Sequence, residues 1–103
     1  MPELPRIAAR RFTWDLDVST EELLQLLDLT ARVKRNPQQF RWSLADRYVT
    51  LLFEKPSLRT LLTFELAIRQ LGGGAVTMTG PIAAREPAKD VARNVERWTH
   101  CIV

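Results

Sequence analysis

An α/β fold with a short parallel sheet flanked by helices is predicted by three features of this 103-residue chain. Tyr48 to Phe53 is an almost unbroken apolar run, as expected of a parallel strand covered on both faces. Leu61, Phe64, Ile68 and Leu71 then recur at helical spacing until Gly72 supplies a stop. After Gly72-Gly-Gly74, the run Ala75-Val-Thr-Met-Thr79 reads as a second strand, broken by Gly80-Pro81. Strand, helix and strand joined by a tight glycine link imply a parallel pair with a right-handed crossover.

With 46% hydrophobic and 26% charged residues, the chain has the composition of one soluble globular domain. A net charge of +3 admits a nucleic-acid partner in principle, but Lys and Arg are scattered and no basic patch is interleaved with aromatics. An anionic small substrate fits the charge at least as well. No apolar run is long enough to span a membrane, and Met1-Pro-Glu-Leu-Pro5 lacks the apolar core of a signal peptide. One cysteine, Cys101, forms no internal disulfide, so a reducing cytoplasm is the expected location.

Residues 1–18 read as an irregular tail that docks late through Phe12 and Trp14. Ser19-Thr-Glu-Glu22 is a helix start, with a hydroxyl cap followed by acids where the macrodipole favours them. The helix continues through Leu23, Leu26, Leu27 and Thr30 towards Val33, and Asn36-Pro37 ends it after Lys34 and Arg35. Covering the sheet is its expected role, with partner binding as the alternative. Pro37 to Asp46 is a connector pinned to the core by Phe40 and Trp42. Pro87 fits the first turn of a later helix that places Val91, Val95 and Trp98 on one side. His100-Cys-Ile-Val103 starts a third strand, a stub at Cys101. One His and one Cys supply too few ligands for zinc, so no metal site is assigned.

Function concentrates at the turn from Phe53 into the helix. Ser57 occupies the N-cap position, and a strand that leads into a helix N-terminus aims unpaired N–H groups and the positive dipole end at one point. Ser57 and Thr60 add hydroxyl donors, and Arg59 adds a planar fork that holds two phosphate oxygens. Phosphate recognition is the chemistry implied. The residues alone leave a plainer alternative, in which Ser57 only caps the helix and Arg59 is solvated.

Phe53-Glu-Lys-Pro-Ser-Leu-Arg-Thr60, with Leu-Leu-Thr-Phe-Glu65 and Gln70-Leu-Gly-Gly73, resembles the carbamoyl-phosphate motif of the aspartate and ornithine carbamoyltransferase family. Gly80-Pro-Ile-Ala-Ala-Arg-Glu-Pro-Ala-Lys-Asp-Val-Ala-Arg-Asn94 is similar to the segment after the second strand in ornithine-type members. The likeness runs from about Phe12 to Val103. It implies that Ser57, Leu58, Arg59 and Thr60 bind the phosphate of carbamoyl phosphate, with Arg59 and Thr60 also beside the developing oxyanion. Such a transfer to an amino-acid amine needs no cofactor. The resemblance further implies a homo-oligomer, a trimer in which Arg85 and Glu86 reach the neighbouring subunit, and no nucleic-acid or membrane partner.

The chain departs from the family pattern in places. Leu58 stands where Thr or Gly is usual, and Leu61 replaces a second arginine, which weakens the local positive field. The amino-acid-binding domain and the segment that holds the carbamoyl end are not recognisable. The expectation is therefore a partial carbamoyl-phosphate-binding domain over residues 1–103, inactive by itself, with uncovered apolar faces that favour association. The alternative is a non-catalytic truncated paralogue that acts as an interaction or oligomerisation module.

Overall fold

The computed structural model describes residues 3–55, 57–81 and 87–103. It divides into two compact units, Met1–Phe40 and Arg41–Val103. None of the described helices is long and apolar enough to cross a membrane.

The first unit is built on helix α1 (Thr20–Arg35), whose start is closed by its own side chains. The Glu22 N–H donates to Ser19 Oγ at 3.1 Å, and the Ser19 N–H donates back to Glu22 Oε1 at 2.9 Å, a reciprocal capping box. The other Glu22 oxygen accepts from the Ala8 N–H at 2.7 Å, so one carboxylate both starts the helix and tethers the segment before it. Farther along, Arg32 pairs with Asp28 at 3.2 Å and donates to the Glu3 carbonyl at 3.0 Å.

The segment predicted to be irregular holds a 3-10 turn at Asp15–Asp17. Phe12 and Trp14 do not anchor it, since both are exposed. Its order comes from Asp17, whose Oδ2 accepts from the N–H and hydroxyl of Thr13, both at 2.8 Å, and whose Oδ1 accepts from the Trp14 indole N–H at 3.1 Å. Val18, and Phe40 in a second 3-10 turn at Pro37–Phe40, are the buried apolar residues of this unit.

The second unit is the α/β part. Strand β1 (Tyr48–Phe53) lies between β2 (Gly74–Thr79) and β3 (Cys101–Ile102), all parallel, in the order β2-β1-β3. Helix α2 (Leu58–Gln70) crosses from β1 to β2, and α3 (Ala88–Val95) precedes β3. Register places Tyr48 beside Gly74 and Phe53 beside Thr79, with Val49 beside Cys101. Val49, Leu51 and Ile68 form the core, with Leu44, Phe53, Leu61 and Ala75 packed against it. Leu51 is 0% exposed, a burial that contributes about 1.5–3 kcal/mol. On the opposite face, the buried Thr50 hydroxyl is satisfied by the Thr99 hydroxyl at 2.7 Å.

The predicted glycine stop closes α2. Gly72 has φ +89°, its N–H donates to the Arg69 carbonyl at 3.0 Å, and the Gly73 N–H donates to the Ile68 carbonyl at 2.9 Å, a Schellman arrangement. A Cβ on Gly72 would lie 2.5 Å from the Arg41 carbonyl oxygen. Gly74 opens β2, one residue earlier than its apolar run suggests.

Three large side chains sit otherwise than expected. Trp42 does not pin the connector, being 62% exposed with the Arg41 guanidinium 5.4 Å from its ring centroid; Phe40 alone is buried there. Trp98 is 75% exposed, because α3 ends at Val95 and only Val91 and Val95 continue the inward face. Phe64, expected inward on α2, is 39% exposed, and Ile68 is the buried residue of that helix. Pro87 precedes α3 and accepts through its carbonyl from the Asp90 and Val91 N–H groups.

Gly72→Ala is expected to destabilise the fold by about 2 kcal/mol or more, because a left-handed residue and a backbone clash coincide; the urea-unfolding midpoint measures it. A second expectation concerns acid. Hydrogen bonds from the Ser19 and then the Ala8 N–H hold the Glu22 carboxyl below its ordinary 4.5, and those from Thr13 hold Asp17 below its ordinary 3.8. Depressed carboxyls contribute stability above their ordinary values and lose it as pH falls through the folded ones. The Ala8 and Thr13 amide resonances should therefore shift on acidification with the titration of their carboxylates, and amides indifferent to acid would contradict these tethers.

Candidate functional site: the amino terminus of helix α2

β1 and β2 run parallel, so Phe53 and Thr79 end at the same edge of the sheet, where the Gly80 N–H donates to the Phe53 carbonyl at 3.1 Å. From β1 the chain crosses to β2 on one side and then returns past β1 to β3 on the other. The carboxyl end of β1 is thus at the topological switch point, where open α/β sheets bind ligands. Ser57 to Thr60 lie just beyond it, and all are exposed.

Ser57 occupies the N-cap position, but its side chain does not cap. Its backbone has φ −142° and ψ 81°, and its carbonyl accepts from the Leu61 N–H at 2.9 Å. Among the described residues, nothing accepts from the N–H groups of Leu58, Arg59 or Thr60, and no acidic residue stands in the first turn. These donors lie at the positive end of the α2 dipole. Leu58 is 78% exposed, so its contribution at this corner is its backbone N–H.

Arg59 forms no ion pair among the described residues. Its carbonyl accepts from the Thr63 hydroxyl at 2.7 Å, a contact the sequence pattern did not single out, although a hydroxyl four residues on in a helix is its signature. Leu61 turns onto the Val49–Leu51–Ile68 cluster and supplies no charge. The structure therefore brings Ser57, Leu58, Arg59 and Thr60 together around one cluster of donors. Arg85 and Glu86 lie outside the described residues. His100 serves the sheet: its Nδ1 accepts from the Tyr48 N–H at 3.1 Å and its ring stacks on Tyr48.

This arrangement is that of an α/β domain with a helix amino terminus at the carboxyl edge of a parallel sheet. The family of aspartate/ornithine carbamoyltransferase carbamoyl-phosphate-binding domains matches residues 10–103. The chain is 43% identical over 90 residues to an ornithine carbamoyltransferase of a Vibrio species, covering 84% of this chain and 30% of that protein. It is 46% identical over 86 residues to the enzyme of Thermus thermophilus, covering 80% and 28%. Among solved structures, ornithine carbamoyltransferase from Burkholderia thailandensis superimposes with a TM-score of 0.75 at 36% identity, over 84% of this chain and 32% of that one. A variant of N-acetyl-L-ornithine transcarbamylase, complexed with carbamyl phosphate and N-succinyl-L-norvaline, gives 0.76 at 30% identity, over 90% and 32%. The chain belongs to the aspartate and ornithine carbamoyltransferase family, to its carbamoyl-phosphate-binding domain, and spans about 30% of the length of these curated relatives.

The two helix starts make a direct comparison. Ser19→Ala removes a formed cap and should cost about 1 kcal/mol. Ser57→Ala removes none and should stay within about 0.5 kcal/mol of the parent. Thermal or urea unfolding of both variants distinguishes the cases, and equal losses would show that Ser57 caps α2 in solution.

Proposed function

We propose that this chain binds carbamoyl phosphate at the amino terminus of α2 and serves as the phosphate-holding part of an ornithine-type carbamoyltransferase. The observation that carries the reading is the set of N–H donors at Leu58, Arg59 and Thr60 that find no acceptor among the described residues, beside a guanidinium and two hydroxyls. Phosphate oxygens accept from those N–H groups and from the Ser57 and Thr60 hydroxyls, and Arg59 holds two oxygens through its fork. As an acceptor amine attacks the carbamoyl carbon, negative charge grows on the carbonyl oxygen. Arg59 and Thr60 stabilise it while the phosphate, already held, leaves.

The acceptor class, an amino-acid amine such as that of ornithine, rests on the ornithine carbamoyltransferases to which the chain is similar. None of the residues assigned here binds that amine. A cytoplasmic place in arginine metabolism and a trimeric assembly belong to the same proposal.

Isothermal calorimetry with carbamoyl phosphate and with inorganic phosphate tests the site once circular dichroism has shown that each protein is folded. The parent chain is expected to bind, and Arg59→Ala to weaken binding at least tenfold, about 1.4 kcal/mol. A folded parent that binds neither anion would overturn the proposal.

A further inference from the structure

Tyr48, the first residue of β1, spends both of its backbone groups on one residue of the segment that enters β3. Its carbonyl accepts from the His100 N–H at 2.9 Å, and its own N–H donates to the His100 imidazole at Nδ1, 3.1 Å away. The two rings are stacked as well, with centroids 6.2 Å apart and planes 20° from parallel. Farther along, the strands are joined by backbone alone, since the Val103 N–H donates to the Thr50 carbonyl and the Leu52 N–H to the Val103 carbonyl, both at 2.8 Å. At the first rung a side chain stands in for the backbone.

That replacement makes the rung sensitive to protons. Nδ1 accepts only while it carries no hydrogen, so the bond requires the neutral tautomer protonated at Nε2. An imidazolium donates from both nitrogens and would aim a second hydrogen at the Tyr48 N–H. Among the described residues no carboxylate pairs with His100 to hold a charged ring in place. From β1 the group that faces the imidazole is the Tyr48 ring; Asp46 and Arg47 precede it in the chain, and Arg97 and Cys101 lie on either side of His100.

We propose that His100 is a proton-operated clasp on the amino end of β1: the neutral ring joins Tyr48 to the start of β3, and protonation releases the Tyr48 N–H. The bond contributes at the upper end of the range in which imidazoles titrate, about pH 5 to 8, and is lost towards the lower end. The phosphate corner lies beyond Phe53, at the other end of the strand. What the clasp governs is the Tyr48 ring, which lines an apolar cleft with Val76, Met78, Val95 and Trp98 and lies 2.8 Å from where a Cβ on Gly74 would stand. Acid therefore loosens the ring and its cleft together, and leaves the corner at Ser57 to Thr60 as it is.

The chain contains one histidine, so its titration is read without ambiguity. By nuclear magnetic resonance of the full chain, the Tyr48 amide is expected to shift with the same midpoint as the His100 ring protons. Its hydrogen-exchange protection, corrected for the intrinsic rate, should fall about fivefold on protonation, the loss of one hydrogen bond. His100→Asn supplies an amide oxygen near the place of Nδ1 and should keep the protection while abolishing its pH dependence. His100→Phe keeps a ring but no acceptor, and should show the low protection at every pH. A Tyr48 amide that ignores the imidazole titration in the parent chain would overturn the inference, whether or not the variants fold. The parent's pH dependence persisting in His100→Asn would do the same.

Discussion

The second unit depends on β1 being bonded along both edges. Val49, Leu51 and Phe53 serve β2, whereas the Tyr48 carbonyl accepts from His100 and Leu52 donates to Val103, both in the backbone. The middle of a strand so placed is covered on both faces, which is why Leu51 and Thr50 are the most buried of the described residues. The requirement fixes what its neighbours supply. α2 must present Ile68 and Leu61 to one face, and Thr99 must present a hydroxyl to Thr50 on the other. Four residues, 54–57, separate β1 from α2, so the most constrained strand leads towards the corner at Ser57 to Thr60.

The two long helices begin in opposite ways. α1 satisfies its first turn from within, through Ser19 and Glu22, and draws Ala8 onto the same carboxylate. α2 has a serine at the same position but brings neither a cap bond nor an acid. An unsatisfied N-terminus costs stability unless water or a ligand completes it. The fold accepts that cost where the chain leaves its best-held strand. Leu61 shows the division of labour within one helical turn, facing the core while Arg59 and Thr60 stay in solvent.

Much of this was legible in the residues, for physical reasons. β1 declared itself because a doubly covered strand tolerates few polar residues, β2 because a short run rich in Val, Met and Thr stands between glycines, and α1 because Ser19 and Glu22 write their capping box directly into the sequence. The Gly72 turn was legible because only glycine sits comfortably at its positive φ. Side-chain exposure was less so. Trp98 matches the spacing of Val91 and Val95, yet α3 ends before it, and spacing carries no information on where a short helix stops. Trp42 sits two residues from the buried Phe40 and differs from it only through tertiary surroundings. Ser57 looks like a cap because caps are defined by residue type, whereas the bond depends on backbone angles that the type does not fix. The Ser57 to Thr60 corner was recognisable as a motif, but its open donors became evident only once the missing cap was seen.

The link between α2 and β2 has no slack. Leu71 closes the helix, Gly72 turns, and Gly74 is already in the ladder, where an added Cβ would lie 2.8 Å from the Tyr48 ring. Adding or deleting one residue here would rotate β2 by half a pleat period, sending Val76 and Met78 to the α2 side and the threonines to the other. Length at this joint is therefore under tighter constraint than composition. Variation among related chains should appear there as substitution rather than as insertion, and a designer seeking a place to graft a peptide should look elsewhere in the molecule.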